Sequence, residues 1–147
     1  MAQLKTNIAL HPIAGQGIGG QTTHHHVFPV QITGAIAVND TAEIARLPVQ
    51  SRILGMVLQN VSGVALTFSV GDAAAPARLR VAAALANGAQ ATGVADAGLF
   101  YRVVEGAYPY LSINATFTAA AAAPTGPLWV NISYLVDEPT HPAGSTL

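Results

Sequence analysis

Several short runs of this sequence alternate apolar and polar residues, and this period of two constrains the fold more than any other feature. The alternation occurs at 64–70, 111–117 and 128–136, and in a weaker form at 30–38. Successive side chains of a strand point to opposite faces, so alternation predicts strands with one buried face. The segment 52–61 is apolar on both faces, which predicts a central strand. We therefore predict an all-β fold, an antiparallel β-sandwich of the jelly-roll type with seven or eight strands.

Turn-forming residues separate these runs. Residues 60–63 (Asn-Val-Ser-Gly) predict a tight hairpin that joins the central strand to 64–70 as its neighbour in one sheet. The alanine-rich segment 81–86 predicts one short helical turn, ended by the Asn-Gly pair at 87–88. A second alanine run at 119–123 lies between two strand patterns and is predicted to be a loop.

The length of 147 residues fits one domain. Residues 1–21 and 138–147 are rich in Gly, Pro and Thr, so we predict an extended N-terminal arm, a sandwich domain at 22–137 and a C-terminal tail.

The N-terminal arm carries its own alternation. Ile8, Leu10 and Ile13 alternate with polar or small residues, ahead of a glycine-rich hinge at 15–20. A tethered strand can satisfy its backbone groups by adding to the sheet edge of another subunit. We predict that these three residues make an intersubunit contact, although pairing within the same sandwich is an alternative.

Charge is scarce: only 9% of the residues are Asp, Glu, Lys or Arg, against about 25% in a typical soluble domain. Such a chain is expected to hide much of its surface in partners, which predicts a homodimer or homotrimer. The scattered arginines and a net charge of -1 argue against a nucleic-acid partner. No long apolar run or signal-peptide pattern is present, so no membrane association is expected.

Catalytic motifs are weak. Gly15, Gly17 and Gly20 match a dinucleotide-binding pattern but lack its strand-to-helix context. No G-x-S-x-G elbow occurs, and the carboxylates are isolated except for Asp137-Glu138, which precedes a Pro-rich tail. We predict no catalytic residues and no enzymatic activity.

The run His24, His25, His26 is the best candidate for chemistry, since two imidazoles on one face of a strand can begin a zinc or iron site. A cupin enzyme would place a glutamate about four residues after such a pair, where this chain has Val30 and Gln31. We therefore predict surface or interface histidines and no metal or other cofactor. A metal shared around an oligomer axis, and a small metal-dependent jelly-roll enzyme, stay as alternatives.

Aromatic residues could form a sugar-binding platform, as in a fibre tip or lectin, but core and interface packing is the favoured interpretation. The residues concerned are Tyr101, Tyr108, Tyr110, Trp129 and Tyr134.

Three segments together resemble small phage head proteins: the N-terminal arm, Leu54-Gly-Met-Val-Leu-Gln-Asn-Val-Ser-Gly followed by 64–72, and Leu128-Trp-Val-Asn-Ile-Ser-Tyr-Leu. The chain is similar in particular to the jelly-roll cement proteins on the shells of Bordetella-type phages. This resemblance implies a homo-oligomeric clamp across neighbouring major capsid subunits, on the outer surface of the virion, without cofactor or catalysis. Synthesis in the bacterial host cytoplasm is expected, and a phage fibre, tail or host-recognition module is the alternative function.

Overall fold

The structure is a computed structural model that describes residues 2–6, 23–103 and 110–136. Within these ranges the chain forms ten strands and no helix, and hence no helix able to cross a membrane. The strands are β1 (Gln3–Thr6), β2 (Thr23–Val30), β3 (Ile32–Thr33), β4 (Thr41–Pro48), β5 (Ser51–Asn60), β6 (Leu66–Gly71), β7 (Arg80–Leu85), β8 (Gln90–Thr92), β9 (Tyr110–Phe117) and β10 (Leu128–Val136).

The strands form two sheets, one in the order β3-β1-β4-β9-β6-β7 and the other in the order β2-β10-β5-β8. Leaving out β1 and β3, the remaining eight strands pair first with last, second with seventh, third with sixth and fourth with fifth. These pairs are β2 with β10, β4 with β9, β5 with β8 and β6 with β7, all antiparallel. One long hairpin wrapped across two sheets is a jelly roll, so the predicted fold class is confirmed.

The core lies between the two sheets. It is built from the apolar residues of the alternating runs, which all point to the inner face of their strand. Phe68 of β6 and Phe117 of β9 meet at its centre, with ring centroids 5.7 Å apart. The predicted strands at 64–70, 111–117 and 128–136 thus bury one face each. Their fully buried members include Leu66, Phe68, Val70, Ile113, Ala115, Phe117, Leu128, Val130, Ile132 and Tyr134.

The predicted hairpin at 60–63 is wrong. β5 and β6 lie in different sheets, and the chain crosses from one sheet to the other between them. The side-chain amide of Asn60 donates to the Val64 oxygen at 2.8 Å, and the Ser62 hydroxyl donates to the same oxygen at 3.1 Å. These bonds and the positive φ of Gly63, 86°, make a bend. Turn chemistry of this kind does not specify which sheet receives the next strand.

The predicted helical turn at 81–86 is also wrong, because Arg80–Leu85 forms the strand β7. It pairs with β6 in antiparallel register. Alanine's preference for helix is worth only a fraction of a kcal/mol per residue, and the backbone bonds to β6 outweigh it. The segment remains exposed along most of its length, as an edge strand of small residues.

The predicted strand at 30–38 is interrupted. After Val30 the chain changes sheets to form the short β3, and Gly34 then takes a positive φ of 95°. Ile36 is buried and makes an isolated bridge with Ala121 in the predicted loop 119–123. Only part of this alternating run therefore forms a regular strand.

The beginning of the predicted arm, Gln3–Thr6, is a strand of the chain's own sheet. It lies between β3 and β4 and runs parallel to β4. Ile8, Leu10 and Ile13, the hinge at 15–20 and the tail at 138–147 fall outside the described residues.

Candidate protein-binding surface

The outer face of the four-stranded sheet has a region without Asp, Glu, Lys or Arg, which we call the Trp129 face. Residues directly opposite one another in the register share this face, and their neighbours along each strand point into the core. Its members are His25, Val27 and Pro29 of β2, Trp129, Asn131 and Ser133 of β10, Gly55, Val57 and Gln59 of β5, and Gln90 and Thr92 of β8. None of these side chains is an Asp, Glu, Lys or Arg. Arg52 lies on the same outer face beyond these residues, because it is opposite Leu135, which continues the outward phase of β10.

The centre of the Trp129 face is apolar. Val27 is 56% exposed and Trp129 is 41% exposed. A hollow of about 190 Å³ lies beside the indole, and its lining is Val27, Val57, Gln59, Gln90, Trp129, Val130 and Asn131. Apolar centres with neutral polar surroundings, rich in tryptophan and poor in charge, are typical of protein interfaces.

One polar atom in this wall has no partner. The Asn131 Oδ1 is buried and accepts no hydrogen bond from any described residue. Burying such an acceptor costs about 1 to 3 kcal/mol.

The outer face of the six-stranded sheet, on the other side of the sandwich, carries charged side chains. Arg46 contacts Glu43 at 2.7 Å, and the Ser112 hydroxyl donates to Glu43 at 2.9 Å. The hydrogen bond to Glu43 raises the pKa of Arg46, whose guanidinium also lies 4.4 Å from the centre of the Tyr110 ring. The outer face of the six-stranded sheet therefore carries an ion pair, whereas the Trp129 face has no charged side chain among its members and Arg52 lies at its border.

The three histidines lie on β2, on alternating faces, as an extended strand requires. His24 and His26 share the inner face and are half-buried, whereas His25 is exposed and its Nδ1 lies 3.0 Å from the Ser133 hydroxyl. His24 stacks on Tyr134 with ring centroids 5.4 Å apart. In the described part of the chain, no three His, Cys, Asp or Glu side chains are grouped so that they could hold a metal ion.

Two of the inner side chains here have buried polar atoms without a partner among the described residues, namely the His26 Nε2 and the Tyr134 hydroxyl. Burial lowers the pKa of His26 and raises the pKa of Tyr134, since in each case it penalises the charged form.

The aromatic residues do not form one platform. Tyr134 is buried in the core, Trp129 lies on the four-stranded sheet, and Tyr110 lies under Arg46 on the other sheet. Tyr101 is covered by Arg78, whose guanidinium is 3.8 Å from the ring centre. Tyr108 is outside the described residues.

Sequence reasoning missed the Trp129 face, although a signal for it was present. In the alternating run 128–136, Trp129 falls on the polar phase together with Asn131 and Ser133. A large aromatic residue on the outward phase of a strand is the pattern that indicates an exposed apolar patch.

No family model and no curated protein matches the chain. Two phage capsids contain chains with this fold. The first is the cyanophage Pam1 capsid asymmetric unit, where the match has 27% sequence identity and a TM-score of 0.63 and covers 88% of this chain and 96% of the other. The second is the capsid of Ralstonia phage GP4, with 17% identity and a TM-score of 0.64 over 95% of this chain and 100% of the other.

The two phage capsid matches differ in what they support. At 17% identity the Ralstonia phage GP4 chain shows a shared fold alone. The cyanophage Pam1 chain adds sequence similarity over nearly its full length.

Proposed function

We propose that this chain is a structural virion protein of a tailed phage, a cement or decoration subunit on the outside of the capsid. The observation that carries the proposal is the 27% identity, over 88% of this chain and 96% of the other, to a chain of the cyanophage Pam1 capsid asymmetric unit. In this role it binds the major capsid protein and stabilises contacts between neighbouring capsid subunits.

The physical properties of the chain fit this role. A subunit that contacts several capsid chains increases the free energy needed to open the seams between them, and many modest contacts on one shell act together. With 9% charged residues and an exposed apolar patch around Trp129, the surface suits permanent assembly better than life as a free monomer.

The N-terminal arm is the proposed contact to a neighbouring subunit, through Ile8, Leu10 and Ile13. Residues Gln3–Thr6, at the beginning of the arm, pair within the chain's own six-stranded sheet beside β4, so the proposed contact is made by the residues that follow β1. In the proposed assembly the following residues add a further strand to the sheet edge of a neighbour, with register set by the alternating apolar side chains.

Electron microscopy of virions labelled through this protein tests the function. We expect label distributed over the outer surface of the head. Label confined to the tail or its fibres would instead favour the host-recognition alternative, and virions without label would contradict a structural role. Capsids assembled without the protein provide a matched test, because adding the purified protein should restore their resistance to heat.

A further inference from the structure

We infer that Asn87-Gly88 is a self-modification site, at which the Asn87 side chain closes a succinimide ring with the Gly88 nitrogen, and that the bend at 60–63 holds this site closed in the folded protein. The inference is independent of the proposed virion function, since it concerns the chemical lifetime of the chain itself.

The local sequence at Asn87 favours this reaction. Asparagine is a thermolabile residue, and a glycine after it has no side chain to hinder the approach of its nitrogen to the asparagine amide. Asn87-Gly88 is the single Asn-Gly pair of the sequence. Both residues are exposed, so water reaches the site.

The reaction needs no partner other than water. The Gly88 nitrogen gives its proton to hydroxide or water and attacks the Cγ of Asn87. A new N–Cγ bond forms, the Cγ–Nδ2 bond breaks, and Nδ2 takes up a proton and leaves as ammonia. Water then opens the ring at either of its carbonyl carbons, which leaves aspartate or isoaspartate at position 87. Each product carries a negative charge that the amide lacks.

The attacking nitrogen is occupied in the folded protein. The Gly88 N–H donates to the backbone oxygen of Asn60 at 2.6 Å. Asn60 is fully buried, and its side-chain amide donates to the oxygens of Val64 and Leu85, which fixes its position. The proton of Gly88 therefore becomes available only when its bond to the bend breaks.

The turn geometry also separates the reacting atoms. The Ala89 N–H donates to the Ala86 oxygen at 3.0 Å, and Gly88 has a φ of 82°, which is the pattern of a type II turn with Asn87 in second place. The ψ of that residue is about 120° in such a turn, which directs the Gly88 nitrogen away from the Asn87 side chain. Ring closure therefore requires a backbone rotation that the bond to Asn60 opposes.

One contact acts in the opposite direction. The Gly63 N–H donates to the Oδ1 of Asn87 at 2.9 Å. A donor on this oxygen stabilises the negative charge that develops there during attack on Cγ. The side chain is thus ready for attack, and the bond between Gly88 and Asn60 is what keeps the site closed.

The first experiment compares the folded and the urea-unfolded wild-type protein, incubated at the same mildly alkaline pH and temperature. Peptide mapping by mass spectrometry follows the conversion of amide to acid at each asparagine, and an isoaspartate assay identifies the product. We expect position 87 to be modified first in the unfolded chain, and at least about tenfold more slowly in the folded protein. Equal rates in the two states, or faster modification of another asparagine in the unfolded chain, would overturn the inference.

A pair of variants tests the assignment to the bend. Asn60→Ala loosens the bend and should accelerate modification of the folded protein at least about tenfold. Gly71→Ala is the matched control, because it overpacks the other end of β6 and should accelerate the reaction much less. Thermal melts establish that each variant is folded during the incubation. Equal acceleration in both would show that the rate follows overall stability and would contradict the role of the bend. The comparison of folded and unfolded wild type holds even where Asn60→Ala does not fold.

Discussion

The side-chain amide of Asn60 donates a hydrogen bond of 2.8 Å to the backbone oxygen of Leu85. Asn60 ends β5 in the four-stranded sheet, and Leu85 ends β7 in the six-stranded sheet. The same amide also donates to Val64, and its oxygen accepts from the Ser62 backbone N–H at 3.0 Å. One fully buried side chain therefore ties the two sheets together where the chain crosses between them.

Replacement of this residue should be costly. We expect Asn60→Ala to lower the free energy of unfolding by about 2 to 4 kcal/mol, because two carbonyl oxygens and one N–H lose their partner in a buried site. Urea denaturation measures the change. Asn87→Ala is the control, since the Asn87 side chain accepts from the Gly63 N–H at an exposed position and should cost less than about 1 kcal/mol. Similar losses in both variants would contradict this account.

Gly71 is packed too closely for a side chain. A Cβ built there would overlap the Ala75 oxygen and the backbone of Pro76 and Arg78, whereas one at Gly55 would meet nothing within 4 Å. We expect Gly71→Ala to destabilise the fold by about 1 to 3 kcal/mol through overpacking, and Gly55→Ala to change stability little. Thermal melts of the two variants, compared side by side, provide the measurement.

Stability should depend on pH through His26. Burial lowers its pKa below the ordinary value of 6.5, so the unfolded chain takes up a proton at a higher pH than the folded protein does. The free energy of unfolding should therefore decrease as the pH falls through about 6.5, and this contribution should level off once folded His26 is also protonated. Urea titrations at several pH values test this, with His26→Gln expected to flatten the profile. A His26→Gln variant with the same slope as the wild type would contradict this account.

The predicted arm contact can be tested without removing β1, whose Leu4 packs against the core. We expect the triple substitution of Ile8, Leu10 and Ile13 by Ser to leave a cooperative thermal melt while weakening binding to capsids assembled without the protein. Val38→Ser, at an exposed apolar site, is the control and should bind normally. Loss of folding in the triple variant would instead assign these residues to the chain's own sandwich.

The buried faces of β6, β9 and β10 could be predicted from the sequence. In a half-buried strand the apolar residues face the core and the polar residues face solvent, so the alternation itself shows which face is buried. Leu66, Ile113 and Ile132 each sit on the apolar phase of their run and are buried. The alternation does not show which strands pair with one another. β5 and β6 are adjacent in sequence but lie in different sheets. The hydrogen bonds of Asn60 and Ser62 stabilise a bend between them, and a bend is compatible with either a hairpin or a crossing between sheets.

The strand at Arg80–Leu85 could not be predicted for a related reason. Its alanines favour helix weakly, and the preference is overridden by a ladder to β6 that is invisible in the local sequence. The Trp129 face was missed for a different reason, since its signal was present in the local sequence. Trp129 was interpreted by residue type, as a packing aromatic, whereas its position on the outward phase of β10 places it on the surface.

The jelly-roll topology also determines when the four-stranded sheet can form during synthesis. Among the described strands of its sheet, β2 pairs with β10 alone, and the contact of His25 with Ser133 spans 108 residues. A ribosome adds roughly 5 to 20 residues per second, so β2 is synthesised several seconds before β10, its partner in the sheet. Contacts this distant in sequence also form slowly. The four-stranded sheet, and with it the surface around Trp129, is therefore completed only after β10 has left the ribosome.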